Sequence, residues 1–340
     1  MSRSDLERIA AAMVAKDKGL LAADESTGTI KKRFDNIGLA STEEQRRGYR
    51  ELLFTTPGLG QWISGVILYD ETIRQKTKDG VPFPEYLTQQ GIIPGIKVDK
   101  GAKPLAGYPD ETITEGLDGL RERFAEYYQL GARFAKWRAV IDISATAPTL
   151  FAIRANAHAL ARYAALAQEQ QIVPIVEPEV LMDGDHTLEH CEKVSSEVLS
   201  AVFDELHAHA VHLEGMILKP NMIISGKKCA NRASPQQVAD ATVRCLRRYV
   251  PSAVPGITFL SGGQSPAEAT LNLSLMNRQA ALPWQLSFSY GRALQDATLK
   301  SWGGKPANYA AGQKELARWA RLNGLARSGA FQSGMESQTA

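Results

Sequence analysis

Three lysines and several carboxylates in this 340-residue chain stand at the ends of short apolar runs. Met216, Ile217 and Leu218 lead directly into Lys219, and Phe134 and Ala135 lead into Lys136, with Arg138 two positions on. Lys97 follows Ile96 and precedes Asp99 by two; Glu177 and Glu179 close the run that starts at Ile172; Asp24, Glu25 and Ser26 close the run from Gly19. An ammonium is costly to bury unless it is paired or gives up its proton. A lysine desolvated among other cations is therefore expected to act as a free-amine nucleophile. Condensed with a ketone, it gives a protonated Schiff base that withdraws electrons and lets a neighbouring C–C or C–H bond break. Carboxylates must then move protons, a task open to Asp24, Glu177 and Glu179. Spacing alone does not choose the nucleophile among Lys97, Lys136 and Lys219.

Other chemistries find fewer of their parts. Metal catalysis wants His or Cys at strand ends, whereas almost all of the six histidines fall in helix-like segments. His186 and His190 read as helix-surface residues, and His207, His209 and His212 as a solvated helix end. No metal and no cofactor is expected. A Ser-His-Asp site lacks both a strand-end histidine and a G-x-S-x-G turn.

The runs that carry these residues recur eight times, beginning near Gly19, Ser64, Ile93, Phe134, Ile172, Glu214, Gly256 and Gln285. Helix-like segments lie between them. Ser234-Pro235 and Ser265-Pro266-Ala267-Glu268 carry N-cap signals, and 117–130 and 153–168 have helical apolar spacing. Strands alternating with helices imply right-handed parallel βαβ units, and eight of them predict an α/β fold, a single-domain (β/α)8 TIM barrel. A doubly wound open sheet is the alternative, but DESTG after the first strand holds no G-x-G-x-x-G. The barrel is expected over residues 1–327, with a mobile Gly/Ser/Gln-rich tail over 328–340.

Period-two alternation puts Lys136 with Arg138, and Glu177 with Glu179, on one strand face each. Barrel chemistry collects at the C-terminal strand ends, and the loops after strands seven and eight commonly hold phosphate. Here those loops are Ser261-Gly262-Gly263 and Gly291-Arg292, each leading into a helix start that favours anions, with Arg292 able to add a bidentate contact. Lys97 and Ser26 across the rim suit a second anionic group, so a sugar bisphosphate would span the mouth.

Composition agrees with a soluble globular chain: 44% hydrophobic, 22% charged, net charge +2 with the signs mixed. That balance carries no nucleic-acid footprint. Three widely spaced cysteines argue against a disulfide framework and for a reducing, cytoplasmic setting. The start of the chain reads as neither signal peptide nor anchor, and no membrane span is expected.

The chain resembles class I (Schiff-base) fructose-bisphosphate aldolase. The matching stretches include LAADESTGTIKKR, GVILYDET, GIKVDKG, FAKWR, IVPIVEPE, DGDH, LKPNM, TFLSGGQS and FSYGRALQ, in family order from near residue 19 to about residue 304. The resemblance implies reversible cleavage of fructose 1,6-bisphosphate to dihydroxyacetone phosphate and glyceraldehyde 3-phosphate. It assigns the Schiff-base lysine to Lys219, the catalytic aspartate to Asp24, a pocket lysine to Lys136 and the acid/base pair to Glu177 and Glu179. It places the phosphate nearest the ketone at Ser261, Gly262, Gly291 and Arg292, and the distal one at Ser26, Thr29 and Lys97; Thr29 stands where a serine is frequent. Arg138 is expected to bind substrate beside them, and a homotetramer is expected by resemblance alone. One departure is the end of the chain, ESQTA, where many eukaryotic members carry a terminal tyrosine that assists proton transfer. From the residues themselves, transaldolase, a phosphosugar isomerase or a non-catalytic scaffold on the same fold are the alternatives.

Overall fold

Parallel strands covered on both faces read as near-continuous apolar runs, and the eight runs become eight strands in the computed structural model, which describes residues 3–337. They are β1 (Gly19–Ala22), β2 (Ile63–Leu68), β3 (Ile93–Lys97), β4 (Phe134–Ile141), β5 (Val173–Val180), β6 (Ile217–Leu218), β7 (Gly256–Phe259) and β8 (Gln285–Tyr290). Each pairs in parallel with the next, and β8 returns to β1 with Ser289 opposite Leu20, closing the expected barrel. A short antiparallel hairpin, Ala102–Pro104 with Thr112–Thr114, interrupts the crossover from β3 to β4.

The helices that bear on the site are α1 (Arg3–Met13), α2 (Thr27–Asp35), α3 (Leu120–Gln129), α4 (Leu150–Glu169), α5 (Leu188–Ala208), α6 (Pro235–Tyr249), α7 (Pro266–Asn277), α8 (Arg292–Trp302) and α9 (Tyr309–Arg327). None of the described helices is long and apolar enough to cross a membrane. Ser234 with Gln237 and Ser265 with Glu268 form complete capping boxes, each followed by proline at the first helical position. Helix α4 begins at Leu150, ahead of the expected Ile153, because the Thr149 side chain accepts from the Ala152 amide. Leu150 and Phe151 face solvent, so apolar spacing carried no sign of that first turn.

Two apolar layers hold the barrel. Inside it, Leu20, Ala22, Ile67, Phe134, Val173, Ile175 and Ile217 pack on one another, and Leu6, Ile9, Ala10 and Met13 of α1 close the floor beneath them. A larger cluster fills the space between strands and helices. The inner layer fixes the parity of the strands that supply it. If Ala22, Phe134, Ile175 and Ile217 point inward, then Asp24, Lys136, Glu177 and Lys219, two residues further on, point inward at the C-terminal rim.

Within the stretch expected to be a mobile tail, the chain is anchored at Phe331, while residues 332–334 and Ser337 are exposed. Phe331 is fully buried; its carbonyl accepts from Ser274 Oγ at 2.8 Å and from Arg278 Nη2 at 2.5 Å, and Arg278 Nε donates to the Gly329 carbonyl at 2.8 Å. A buried ring and three hydrogen bonds to backbone carbonyls anchor a segment whose composition is otherwise that of a linker. Residues 338–340 lie outside the described residues.

Candidate active site

Strand β6 is two residues long, and its continuation carries Lys219. The Lys219 amide donates to the Val176 carbonyl of β5 at 2.8 Å, and the Pro220 carbonyl accepts from Leu260 after β7 at 3.2 Å. Asn221 completes the joint: its Oδ1 accepts from the Val180 amide at 3.0 Å, and its Nδ2 donates to Ser195 Oγ on α5 at 3.2 Å. The lysine backbone is thus tied to both neighbouring strands and, through Asn221, to the helix behind them. Asn221 went unnoticed in the sequence because its partners are 26 and 41 positions away.

Four side chains form a continuous line across the mouth. Asp24 Oδ2 lies 2.7 Å from Lys136 Nζ, Glu177 Oε2 lies 3.2 Å from the same nitrogen, and Glu177 Oε1 lies 3.1 Å from Lys219 Nζ. Lys136 and Lys219 are each 4% exposed and Glu177 is 3% exposed, so these charges are satisfied by one another. Burial opposes the Asp24 carboxylate, yet Lys136 and Lys219 hold it well below the usual carboxylate range. Burial likewise opposes the Lys136 ammonium, and Asp24, Glu177 and Asp99 together push it well above the usual lysine range. Lys136 is therefore a fixed cation. The expected setting for the nucleophile was a cluster of cations; in the structure Glu177 stands between the two lysines. The Lys219 amine has a proton acceptor in contact, and proton transfer to a carboxylate can free it.

Arg138 and Glu179 pair through Nε and Oε2, one residue pair above that line. Burial disfavours the Arg138 charge, but the Glu179 carboxylate raises the guanidinium above its ordinary value. The Arg138 side chain stays 40% exposed. Lys97, directly opposite Lys136 in register, bonds Asp99 through its carboxylate at 2.6 Å and its carbonyl at 2.8 Å. It shares a polar cleft of about 540 Å³ with Ser26, Arg74, Lys100 and Arg123. Ser26 caps α2: its Oγ accepts from the Thr29 amide at 3.4 Å and sits 3.1 Å from the Thr29 hydroxyl, while Thr29 itself is exposed.

Across the mouth, Ser261 is buried at the end of β7, and Gly262 and Gly263 pass over Met182 so closely that a Cβ on either would strike it. Gly263 also has φ +76°, a conformation open to glycine. Gly291 caps α8, with Arg292 exposed at its first position. A cluster that the sequence did not reveal backs this loop. Glu25 pairs with Arg33 at 2.5 Å and Arg50 at 2.7 Å and accepts from Gln295 Nε2 at 3.0 Å. Arg33 Nη2 comes within 3.6 Å of the place a Gly291 Cβ would occupy, so α2 adds a cation to the rim beside β8.

The histidines divide. His190 is exposed on α5 as expected, but His186 lies in the loop before the Thr187 cap, buried, its carbonyl accepting from the Gly226 amide. Burial lowers its pKa. Tyr309, the last tyrosine of the chain, opens α9 and bonds Thr55 Oγ1 at 3.1 Å.

The profile of the family described as glycolytic fructose-bisphosphate aldolase class-I matches residues 5–340. The chain belongs to the class I fructose-bisphosphate aldolase family. It is 58% identical over 333 residues to a probable fructose-bisphosphate aldolase class 1 of Xanthomonas campestris, covering 98% of this chain and all of that one. It is 54% identical to the fructose-bisphosphate aldolase of Echinococcus multilocularis, covering 96% and 91%. Among solved structures it is similar to the Plasmodium falciparum aldolase, crystallised with TRAP and a small-molecule inhibitor, with TM-score 0.96 and 51% identity over 97% and 96% of the two chains. This class I aldolase accordingly catalyses the reversible cleavage of fructose 1,6-bisphosphate through a lysine Schiff base, and the transaldolase, isomerase and scaffold alternatives fall away.

Proposed function

We propose that Lys219 is the Schiff-base lysine, and the observation that carries the reading is the unbroken line Asp24–Lys136–Glu177–Lys219 at the rim. Lys219 passes a proton to Glu177 and attacks C2 of the open-chain ketose, forming a carbinolamine. Glu177 returns a proton to the C2 hydroxyl, water leaves, and the iminium remains. Asp24, held ionised by Lys136, takes the proton of the C4 hydroxyl. The C3–C4 bond then breaks, its electrons pass into the iminium to give an enamine, and glyceraldehyde 3-phosphate departs. Protonation at C3 and hydrolysis of the iminium release dihydroxyacetone phosphate and restore the amine. Glu179 holds Arg138 at the edge of the pocket. Ser261, Gly262, Gly291 and Arg292 receive the phosphate nearest the ketone; Ser26, Thr29 and Lys97 receive the distal one, with Lys97 exchanging Asp99 for phosphate.

Borohydride added with dihydroxyacetone phosphate tests the assignment. Reduction of the iminium leaves one stable adduct, and peptide mapping should find it on Lys219, with Lys219→Met unlabelled and inactive. A label on Lys136 or Lys97 in the native protein would overturn it.

The chain is further proposed to work as a cytoplasmic homotetramer. The family resemblance supports the tetramer, and the three cysteines, free in the structure, suit a reducing compartment; burial pushes the Cys191 thiol up to about 11, away from ready oxidation. Light scattering on the purified protein should give a mass near four chains, and a monomeric mass would refute that part.

A further inference from the structure

Among the described residues outside the mouth, one group of three offers imidazole and carboxylate atoms to a common point: His158, Glu205 and His209. His158 lies on α4; Glu205 lies in the last turn of α5, and His209 caps that helix. Glu205 and His209 are four apart, the spacing that puts two side chains on one helix face. Glu205 Oε2 is 3.0 Å from His158 Nδ1 and 3.5 Å from His209 Nδ1, and the three ligand atoms lie within 4.8 Å of one another. Around a tetrahedral zinc with bonds of about 2.0–2.1 Å, ligand atoms stand roughly 3.3 Å apart. The two measured separations bracket that value, and the third pair lies within 4.8 Å. The imidazoles already meet edge to face, their centroids 4.9 Å apart.

We propose that His158, Glu205 and His209 form a divalent transition-metal site, zinc in the first instance, that clamps α4 to α5. Two imidazoles and a carboxylate suit zinc and not the oxygen-seeking calcium or magnesium. Three protein ligands leave a fourth position for water, and access is open: the His158 side chain is 52% exposed and borders a surface cleft of about 540 Å³. Without metal, His209 Nδ1–H donates to the Glu205 carbonyl at 2.9 Å. A metal at that nitrogen replaces the proton, which moves to Nε2 or to solvent. The site sits on the outer helical layer, so it takes no part in bond cleavage. Its helices pack behind β4 and β5, which carry Lys136, Arg138, Glu177 and Glu179, and a clamp there stiffens the wall that holds them.

The test uses the full-length protein stripped with EDTA and dialysed. Zinc titrated calorimetrically should bind at one equivalent per chain and raise the melting temperature in proportion to the logarithm of its concentration once saturating. Cobalt(II) in its place should show the visible absorption of a tetrahedral N/O site. His158→Ala, Glu205→Gln and His209→Ala should each weaken binding at least tenfold, with fructose 1,6-bisphosphate cleavage unchanged, while His207→Ala binds as the native protein does. Absence of stoichiometric binding would overturn the proposal. So would binding that survives the His158→Ala/His209→Ala double variant, since the metal would then sit elsewhere.

Discussion

Between two buried lysines the carboxylate of Glu177 has little freedom, and the same is true of Asp24 beside Lys136. Removing a member of such a line costs stability, because each partner left behind is a buried charge that has lost a counter-ion. Asp24 is held low, so its share of stability is present above the ordinary carboxylate value and is lost as pH falls through the folded value. Lys136 is held high, so its share is present below the ordinary lysine value and is lost as pH rises through the folded one. Both contribute between roughly pH 4 and pH 10. Lys136→Met should therefore cost about 3–5 kcal/mol at neutral pH. That cost should shrink as pH is lowered into the carboxylate range, where Asp24, left without Lys136, protonates in the variant. Denaturant unfolding of both proteins across that range measures it, and a difference independent of pH would show that packing, not charge, is what Lys136 supplies. Turnover by the variant should fall by about 10²–10³-fold with the loss of the fixed cation.

The strands explain why so much of this was visible in the sequence. A parallel strand buried on both faces must be apolar throughout, so a lysine or glutamate inside one is conspicuous. Once strand ends are placed, period two says which charges share a face, as Lys136 does with Arg138 and Glu177 with Glu179. The inner packing enforces that parity through contacts no local pattern contains. The Phe134 ring fills the barrel against β2 and β3, where a Cβ on Gly65 would come within 2.9 Å of it and one on Gly95 would collide outright. Glycine there is the space that lets Phe134 point inward, and Phe134 inward sets Lys136 inward. What stayed hidden was assembled across the chain. Asn221 reads as one more polar loop residue until Val180 and Ser195 are seen beside it. Glu25 drew notice only as a strand-end charge, since Arg33 lies on α2 and Arg50 one helix further along. His186 misled for the same reason: its loop is covered by another loop at Gly226, a contact with no signature in either segment.

At the scale of the whole molecule the barrel is closed at its floor and bound on its flank by segments outside the βα repeat. Helix α1 seals the floor, and His212, just before β6, bonds Glu7 of α1 at 2.7 Å. On the flank, the segment after α9 returns over α7, where Phe331 enters the outer core and Arg278 and Ser274 hold its carbonyl. Arg318 of α9 adds a bond to the Glu336 carbonyl at 2.6 Å. Helix α7 follows the Ser261-Gly262-Gly263 loop, so this clasp braces the helix that leads out of the loop proposed to hold phosphate. Emptying the Phe331 pocket removes a fully buried aromatic ring, a loss of about 3–5 kcal/mol. Phe331→Ala should therefore lower the unfolding midpoint without changing the denaturant slope. The proposed catalytic line from Asp24 to Lys219 makes no use of the clasp, so turnover in the folded variant should stay near the native value. KM for fructose 1,6-bisphosphate is the sensitive reading. A rise in KM at constant turnover would mean that the clasp positions the Ser261-Gly262-Gly263 loop; an unchanged KM, which the capping box at Ser265 and Glu268 favours, would mean that it serves stability alone.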